Sequence, residues 1–318
     1  MTTPLLLEAV DGGRRVIVEI DVDAGGRIAQ ISVGDIDLLI EPPTDRPAWS
    51  SGWGSFPMAP WAGRLRDGRF RLGDRTIELE RNHRDGGSTG GGPVHPPIPV
   101  GELDPLSDPG RSHAIHGTVF TRPWTVESVD TDDPTRAVAE LSCSLDGSLG
   151  WDLGGIARQR IAVHPDRVDM TLSVELGDTS PTPLPVVIGW HPWFVTPDRL
   201  EWSPMAMYEQ DRAGLPTGRL VEPPPGPWDD CFTTTEPARL LYDRDSAPVV
   251  TVTSDCDHLV VFDRLAHATC VEPQSGPPDA MNLTMDVDAN TDGDVGGSTF
   301  MDFARPGAPV RRTMTIGW

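Results

Sequence analysis

Three residues of the sequence carry side chains that can exchange protons within an apolar, turn-rich context. His116, His191 and Glu272 each lie beside an apolar run and directly ahead of a glycine or a proline. Functional side chains are often found where rigid elements end in turns, because the scaffold positions them there. These three residues are therefore the first candidates for acid–base chemistry.

Each of these residues also has a purely structural interpretation. A single histidine near a strand end is more often a packed or surface residue than a catalyst. Glu272 is harder to explain in this way, because it closes the run 269–271 and must be exposed at a strand end or buried with a partner. Partial burial would raise its pKa towards the value that a general base needs near neutral pH.

Several tryptophans occur in or near the same segments. Indole faces suit the apolar C–H faces of sugar rings, and the indole N–H can bond a hydroxyl group. The alternative for any one of them is that it fills the protein core. Their number makes a sugar-binding pocket more plausible; the residues are Trp53, Trp61, Trp124, Trp190, Trp193 and Trp228.

The elements that must position these side chains are predicted to be β-strands. Apolar residues alternate with polar ones in many short runs, and prolines interrupt nearly every candidate helix. The pattern indicates an all-β sandwich or barrel with few or no helices, in one domain over residues 1–318. The clearest runs are 16–22, 28–31, 141–145, 168–176, 249–253, 258–262 and 313–316.

Composition argues against some classes of binding partner. The formal net charge of −22 and the 26 Lys and Arg among 318 residues disfavour binding to nucleic acid or to an anionic membrane. No basic leader or long apolar segment is present, so we expect a cytoplasmic protein that does not bind membranes. Four sparse cysteines, without a C-x-x-C pair, are expected to be reduced core or strand residues: Cys143, Cys231, Cys256 and Cys270.

Two segments fall outside the strand pattern. Residues 82–112 are rich in Gly, Pro, Asp and Ser; because no lysine or helix follows the glycine run 86–92, a surface excursion is favoured over a phosphate-binding loop. Residues 286–294 are acidic and, from Asp288, match the first half of a calcium loop. Thr299 stands where the bidentate glutamate belongs, so an acidic surface loop is favoured over a calcium site.

Six motifs, in order along the chain, resemble those of aldose 1-epimerases, also called galactose mutarotases. Together they span roughly residues 50–282. They are FPMAPWAGRL at 56–65, HG at 116–117, GWHPWF at 189–194, GLPTG at 214–218, WDDCF at 228–232 and EPQSGPPDAMN at 272–282.

The resemblance implies a β-supersandwich with an open groove that binds a hexose, without a metal or an organic cofactor. It implies that Glu272 is the base, that His191 is the acid and that His116 assists at the ring oxygen. It further implies that the substrate is bound by Arg64 and by Asp229, which has Asp230 beside it. Trp193 and Gln274 complete the predicted substrate-binding set, and we expect a monomer or weak dimer.

One departure from the family pattern concerns the sugar. The family usually has Asn before the substrate-binding arginine, whereas Gly63 precedes Arg64 here. This substitution removes one side-chain amide from the pocket and leaves the preferred sugar open.

The implied reaction opens the hemiacetal ring and closes it on the other face of C1. A base removes the C1 hydroxyl proton while an acid protonates the ring oxygen, and we expect the two groups on opposite sides of the ring. The alternatives are a non-catalytic or altered-specificity carbohydrate-binding protein, and a glycoside hydrolase that uses Glu272 with Asp229. A phosphorylated hexose is a further possible substrate, although no Arg and Lys cluster marks a phosphate site.

Overall fold

A computed structural model describes residues 3–42, 50–84, 112–234, 236–243, 247–283 and 300–318. These residues form strands and three short 3₁₀ turns, and they contain no α-helix. The first thirteen strands are β1 (Leu5–Asp11), β2 (Arg14–Asp21), β3 (Arg27–Val33), β4 (Ile36–Asp37), β5 (Ser55–Met58), β6 (Arg64–Leu65), β7 (Arg69–Leu72), β8 (Arg75–Glu78), β9 (His83–Arg84), β10 (Ser112–Ile115), β11 (Thr125–Asp133), β12 (Arg136–Ser144) and β13 (Ile156–His164). The others are β14 (Arg167–Glu175), β15 (Leu184–Val186), β16 (Gly189–Val195), β17 (Arg199–Glu201), β18 (Ala206–Gln210), β19 (Pro216–Val221), β20 (Asp229–Thr233), β21 (Ala238–Leu241), β22 (Val250–Ser254), β23 (His258–Phe262), β24 (Ala268–Gln274), β25 (Asp302–Ala304) and β26 (Val310–Gly317).

The all-β prediction is confirmed, and each apolar run named above corresponds to a strand. β14 shows why the pattern works. Its valines, Met170 and Leu172 are buried, whereas every residue between them is partly exposed. Successive side chains of a strand point to opposite faces, so alternation in the sequence becomes one buried face and one half-exposed face.

Two large antiparallel sheets make up most of the fold. The eleven-stranded sheet has the order β1-β2-β3-β5-β16-β24-β23-β20-β18-β19, with β4 paired to β3. The eight-stranded sheet has the order β11-β12-β13-β14-β26-β22-β21-β17. Three small sheets (β6-β10-β9, β15-β25 and β7-β8) complete the described part of the chain.

The main core contains buried side chains from both large sheets. Val18 of β2, Ile161 of β13 and Met314 of β26 all belong to it. Such a core is typical of two sheets that pack face to face.

The central strands of the eleven-stranded sheet are buried on both faces. In β16, Trp190 and Phe194 join the main core, whereas Trp193 belongs to a second apolar cluster with Phe56. Successive side chains of a strand point to opposite faces, so His191 lies on the same face as Trp193. This face carries the candidate site.

Other expectations can be compared with the same structure. All four cysteines are buried and none forms a disulfide, as predicted. The glycine run 86–92 and the acidic segment 286–294 lie outside the described residues. Among the residues that are described, no helix has the length and apolar character needed to cross a bilayer.

Candidate active site

One pocket on the eleven-stranded sheet brings the predicted site residues together. With its open mouth it encloses about 790 Å³ of empty space. This size is within the range of pockets that bind small molecules. All seven predicted site residues line it: Arg64, His116, His191, Trp193, Asp229, Glu272 and Gln274.

The register of β16 and β24 places the proposed acid beside the proposed base. Gly189 pairs with Gln274 and Trp193 pairs with Cys270, so His191 lies directly across from Glu272. Directly opposed residues of antiparallel strands have neighbouring side chains on one face. Neither residue lies at a strand end, because both are within their strands and form the pocket floor. Of the two possibilities for Glu272, exposure at a strand end is wrong and burial with a partner is confirmed.

His191 and Glu272 are in direct contact. Nε2 of the imidazole lies 3.3 Å from Oε1 of the carboxyl group, and Nε2 of Gln274 donates a hydrogen bond of 3.2 Å to Oε2. The two groups therefore lie side by side, and their placement relative to a sugar ring stays a prediction. His191 is 5% exposed and Glu272 is 3% exposed, so neighbouring side chains and not solvent hold them in place.

Burial disfavours the charged form of both His191 and Glu272. The pKa of His191 is lowered to about 3, first by burial and then by the positive charges of Arg27 and Arg64. Burial also raises the pKa of Glu272 well above its ordinary value of 4.5, and the negative charge of Asp229 adds to this rise. Each shift disfavours the charged form of its group, so the resting pair is neutral.

His116 reaches the pocket from a strained turn after β10. Its φ is +60°, a left-handed conformation that a non-glycine residue adopts rarely, and its backbone N–H donates to the carbonyl of Gly63 at 3.0 Å. The His116 ring meets that of His191 at 4.8 Å between centroids, almost perpendicularly. Such strain at a pocket is commonly retained for function.

Asn82, which the sequence patterns did not single out, holds the strand that leads to His116. Its Oδ1 accepts a hydrogen bond of 2.8 Å from the backbone N–H of Ile115, and its Nδ2 donates to the Ile115 carbonyl. Ile115 is also paired with Arg64 across β10 and β6. The same short sheet therefore positions His116 and Arg64.

The structure distinguishes Asp229 from its neighbour Asp230. Oδ2 of Asp229 lies 3.3 Å from a guanidinium nitrogen of Arg64, and both side chains line the pocket. Asp230 is the next residue of β20 and is not among the lining residues; its carboxylate lies 3.8 Å from Arg264. Of these two neighbouring aspartates, Asp229 is the one that lines the pocket.

Asp279 acts as a structural support of the arginine segment. Its backbone N–H donates to the carbonyl of Arg64 at 2.7 Å, and its carboxylate accepts from the N–H and Nε of Arg66. Asn282 donates to the same carboxylate at 2.7 Å. The second half of the motif at 272–282 therefore holds the segment that carries Arg64.

Gly63 is required by its surroundings. Its φ is +66°, and a Cβ added there would lie 2.8 Å from Cγ of Pro278. An asparagine at this position would meet both the strained backbone and the proline ring. The departure from the family pattern thus follows from the local packing.

The aromatic walls differ from those expected. Only Trp193 among the six highlighted tryptophans lines the pocket, where its ring stacks on His191 at 5.0 Å; Phe120 and Phe262 line it as well. Trp228 packs against Trp202. The other four are buried away from the pocket lining, and the core interpretation is right for them: Trp53, Trp61, Trp124 and Trp190.

Three buried side chains, two of which line the pocket, could hold a metal ion. The ligand atoms of His191, Cys270 and Glu272 lie within 4.8 Å of one another. A His, Cys and carboxylate set suits a transition metal such as zinc. The expectation of a metal-free site remains a prediction.

Comparison with known proteins gives a consistent result for the family and the fold. The family model for aldose 1-epimerase matches residues 102–282 and thus includes His116, His191, Asp229 and Glu272, but not Arg64. A comparison with curated protein sequences gave no significant match.

Solved structures with the same fold share little sequence identity with this chain. The Slr1438 protein of Synechocystis sp. PCC 6803 is 16% identical with a TM-score of 0.68, and 99% of this chain aligns with 96% of that one. A galactose mutarotase-like protein of Clostridium acetobutylicum is 16% identical with a TM-score of 0.66, over 99% and 98% of the two chains. A galactose 1-epimerase of Lactobacillus acidophilus is 14% identical with a TM-score of 0.64, over 98% and 94%.

The family model covers more than half of the chain, and five of the six motifs that carry the resemblance contribute residues to one pocket. The chain belongs to the aldose 1-epimerase family.

Proposed function

We propose that this protein is a mutarotase that interconverts the α and β anomers of a hexose such as galactose or glucose. The observation that supports this most is the buried contact of 3.3 Å between His191 and Glu272 on the floor of the pocket, with His116 beside them. The proposed reaction needs one acid and one base close to the same carbon atom of the sugar.

The chemistry requires the pair to share a single proton. Glu272 removes the proton from the C1 hydroxyl while His191 protonates the ring oxygen O5, and the C1–O5 bond breaks. Both oxygens are bonded to C1, so two side chains that lie side by side can serve them. After rotation about C1–C2, the ring closes by the reverse transfers. Each positioned proton transfer typically contributes about 10²–10⁴-fold to the rate.

The remaining residues of the pocket bind and orient the sugar. His116 donates a hydrogen bond at O5, and the Arg64–Asp229 pair offers a donor and an acceptor to hydroxyl groups. Trp193 provides an apolar face, and Gln274 orients Glu272 through its hydrogen bond. Holding the sugar in the reactive geometry supplies much of the remaining acceleration.

Polarimetry of freshly dissolved α-galactose and α-glucose tests the proposal. We expect Glu272→Gln to slow the catalysed rate by about 10²-fold or more, because the amide cannot accept the proton. Glu140→Gln, at an exposed position on β12, is the matched control and should equilibrate the sugar as fast as wild type. The role of Glu272 is wrong if its variant keeps the wild-type rate.

The alternatives give different results in the same set of assays. A binding protein would show heat of binding for the sugar in calorimetry without any acceleration of mutarotation. A glycoside hydrolase would release reducing sugar from an aryl glycoside.

A further inference from the structure

Cys270 is a buried thiol next to the proposed acid and base. It is two residues before Glu272 in β24, so the two side chains point to the same face of the strand. His191 shares that face from β16, where Trp193 is the partner of Cys270. The ligand atoms of His191, Cys270 and Glu272 therefore converge to within 4.8 Å of one another. The proposed reaction has no use for the thiol, which leaves its presence in this cluster unexplained.

The spacing of the three ligand atoms is close to that of a tetrahedral metal centre. Bonds of about 2.0–2.3 Å to zinc place the ligand atoms roughly 3.3–3.8 Å from one another. Nε2 of His191 and Oε1 of Glu272 already lie 3.3 Å apart. The sulfur of Cys270 has to approach them by little more than about 1 Å, and a larger cation such as Cd²⁺ needs a smaller movement.

A cation bound by these three side chains would keep one position open to the pocket. His191 and Glu272 line the pocket, whereas Cys270 is completely buried and does not line it. The protein ligands thus lie on the floor, and the pocket itself is the route by which a cation enters. Three protein ligands with one open position are typical of zinc sites that also bind a small molecule.

The binding step preserves the charge of the pocket floor. The cation forms bonds to Sγ of Cys270, Oε1 of Glu272 and Nε2 of His191, while the thiol and the carboxyl group each release one proton to solvent. One divalent cation enters and two protons leave, so the total charge does not change. Burial of an uncompensated charge, which would oppose binding in such a closed place, is therefore avoided.

The donor set selects the class of metal. A thiolate is a soft ligand that favours zinc and similar metals, whereas Mg²⁺ and Ca²⁺ require several oxygen ligands. Nε2 of Gln274 donates a hydrogen bond to Oε2 of Glu272, which leaves Oε1 directed at His191. Hydrogen bonds of this kind hold a ligating carboxylate in its orientation.

We propose that His191, Cys270 and Glu272 form an inhibitory site for a soft divalent cation such as Zn²⁺, which binds in place of two protons. The cation acts as an inhibitor and not as a cofactor, because it occupies the lone pairs through which Glu272 and His191 exchange protons with the sugar. Binding of the metal is independent of the proposed function, whereas its inhibitory effect rests on the proposed function.

Cd²⁺ and Co²⁺ are the probes of binding, used with untagged protein. A thiolate bound to Cd²⁺ gives an ultraviolet absorption band, and Co²⁺ in a tetrahedral site absorbs visible light. We expect one equivalent of either ion to produce these bands in wild type. An excess of Mg²⁺ should not displace them, because its oxygen ligands are missing.

Two cysteine variants form a matched pair. Cys270→Ala removes the proposed ligand, and Cys231→Ala removes another buried thiol that is not part of the cluster. Even hydrogen-bond partners of metal ligands contribute about 10–100-fold to affinity, so loss of the thiolate should weaken Cd²⁺ binding by at least about 100-fold. Near-UV circular dichroism shows whether each variant is folded, and Cys270→Ser is the second variant if Cys270→Ala is not.

Polarimetry of α-galactose measures the inhibition, with each variant compared with its own rate in the absence of metal. Zn²⁺ should abolish the catalysed rate of wild type and of Cys231→Ala, and EDTA should restore it. Cys270→Ala should require at least about 100-fold more Zn²⁺ for the same inhibition.

The outcomes separate this inference from the proposed function. A wild type without a Cd²⁺–thiolate band, or a band of equal strength and affinity in Cys270→Ala, would overturn the site. An active enzyme that binds Cd²⁺ at Cys270 and keeps its rate when Zn²⁺ is bound would overturn the inhibitory role. A wild type that binds Cd²⁺ through Cys270 and has no mutarotase activity would confirm the metal site and refute the proposed function alone.

Discussion

The His191–Glu272 pair can hold its single proton in two ways. The proton lies on Glu272 in the neutral form and on His191 in the ion pair, and both forms contain the same number of protons. Burial favours the neutral form in the resting pocket. The proposed reaction uses the ion-pair form, which is one proton transfer away.

We predict a broad bell-shaped pH dependence of kcat/KM. The acidic limb appears where His191 takes a second proton, and its lowered pKa places this limb well below 6.5. The basic limb appears where Glu272 loses the last proton, and its raised pKa places this limb well above 4.5. Polarimetric rates from about pH 2.5 to 9, corrected for the uncatalysed reaction, measure both limbs. A single limb near 6.5 would instead indicate an isolated histidine.

Asp229 should control the position of the basic limb. Its negative charge raises the pKa of Glu272, so Asp229→Asn should move the basic limb to lower pH. The same variant should lower kcat/KM, because a contact to the sugar is lost. Asp230→Asn is the matched control, since Asp230 does not line the pocket. Equal shifts of the basic limb in the two variants would contradict the assignment of Asp229.

The residues that were predicted from the sequence and those that were missed differ in the kind of signal they carry. His191 and Glu272 stand in distinctive motifs and could be found from the resemblance. Asn82 has no such motif, because its role arises from hydrogen bonds with Ile115, 33 positions away. Contacts at such separation are a property of the fold.

Strands were predictable from periodicity, but their partners were not. Alternation identified β14 and indicated which of its faces is buried. The short β-rich run 258–262 identified β23, whose three central residues are all buried. Neither pattern could show that β16 lies between β5 and β24, nor that the register sets His191 against Glu272. The strand-end positions were wrong for a second reason. Pro192 and Pro273 follow His191 and Glu272 within strands, where proline is usually excluded.

Gly63→Ala is predicted to destabilise the segment before Arg64, whose Gly63 carbonyl accepts a hydrogen bond from the N–H of His116. The left-handed backbone costs about 1–2 kcal/mol, and the contact with Pro278 adds about 1–3 kcal/mol. Gly73→Ala is the matched control, because its φ is +59° and nothing lies within 4 Å of the added Cβ. Denaturant unfolding measures both variants.

A double variant tests the cause of this loss. Gly63→Ala with Pro278→Ala should recover the part of the loss that comes from the proline ring. The kcat/KM value should recover with it, because the Gly63 carbonyl binds the N–H of His116. If Gly63→Ala costs no more than Gly73→Ala, close packing against Pro278 is not important.

At the scale of the whole molecule, the eleven-stranded sheet serves two purposes. One face of its central strands joins the main core, and the other face forms the floor of the pocket. Strands buried on both faces have near-continuous apolar sequences, as in residues 186–194, and not simple alternation. A polar residue within such a run, as His191 is, stands out in the sequence for this physical reason.

The net charge of −22 leads to a prediction that also tests the substrate class. Salt screens repulsion between like charges, so the melting temperature should rise between about 0.05 and 0.5 M NaCl. A neutral hexose has no net interaction with this charge, and its KM should change little over the same range. A phosphorylated hexose would be repelled at low salt, so its KM would fall as salt is added. Parallel measurements of the melting temperature and of KM for galactose and galactose 6-phosphate therefore separate the two substrates. A KM for galactose that follows the salt concentration steeply would contradict a neutral sugar bound by a local pocket.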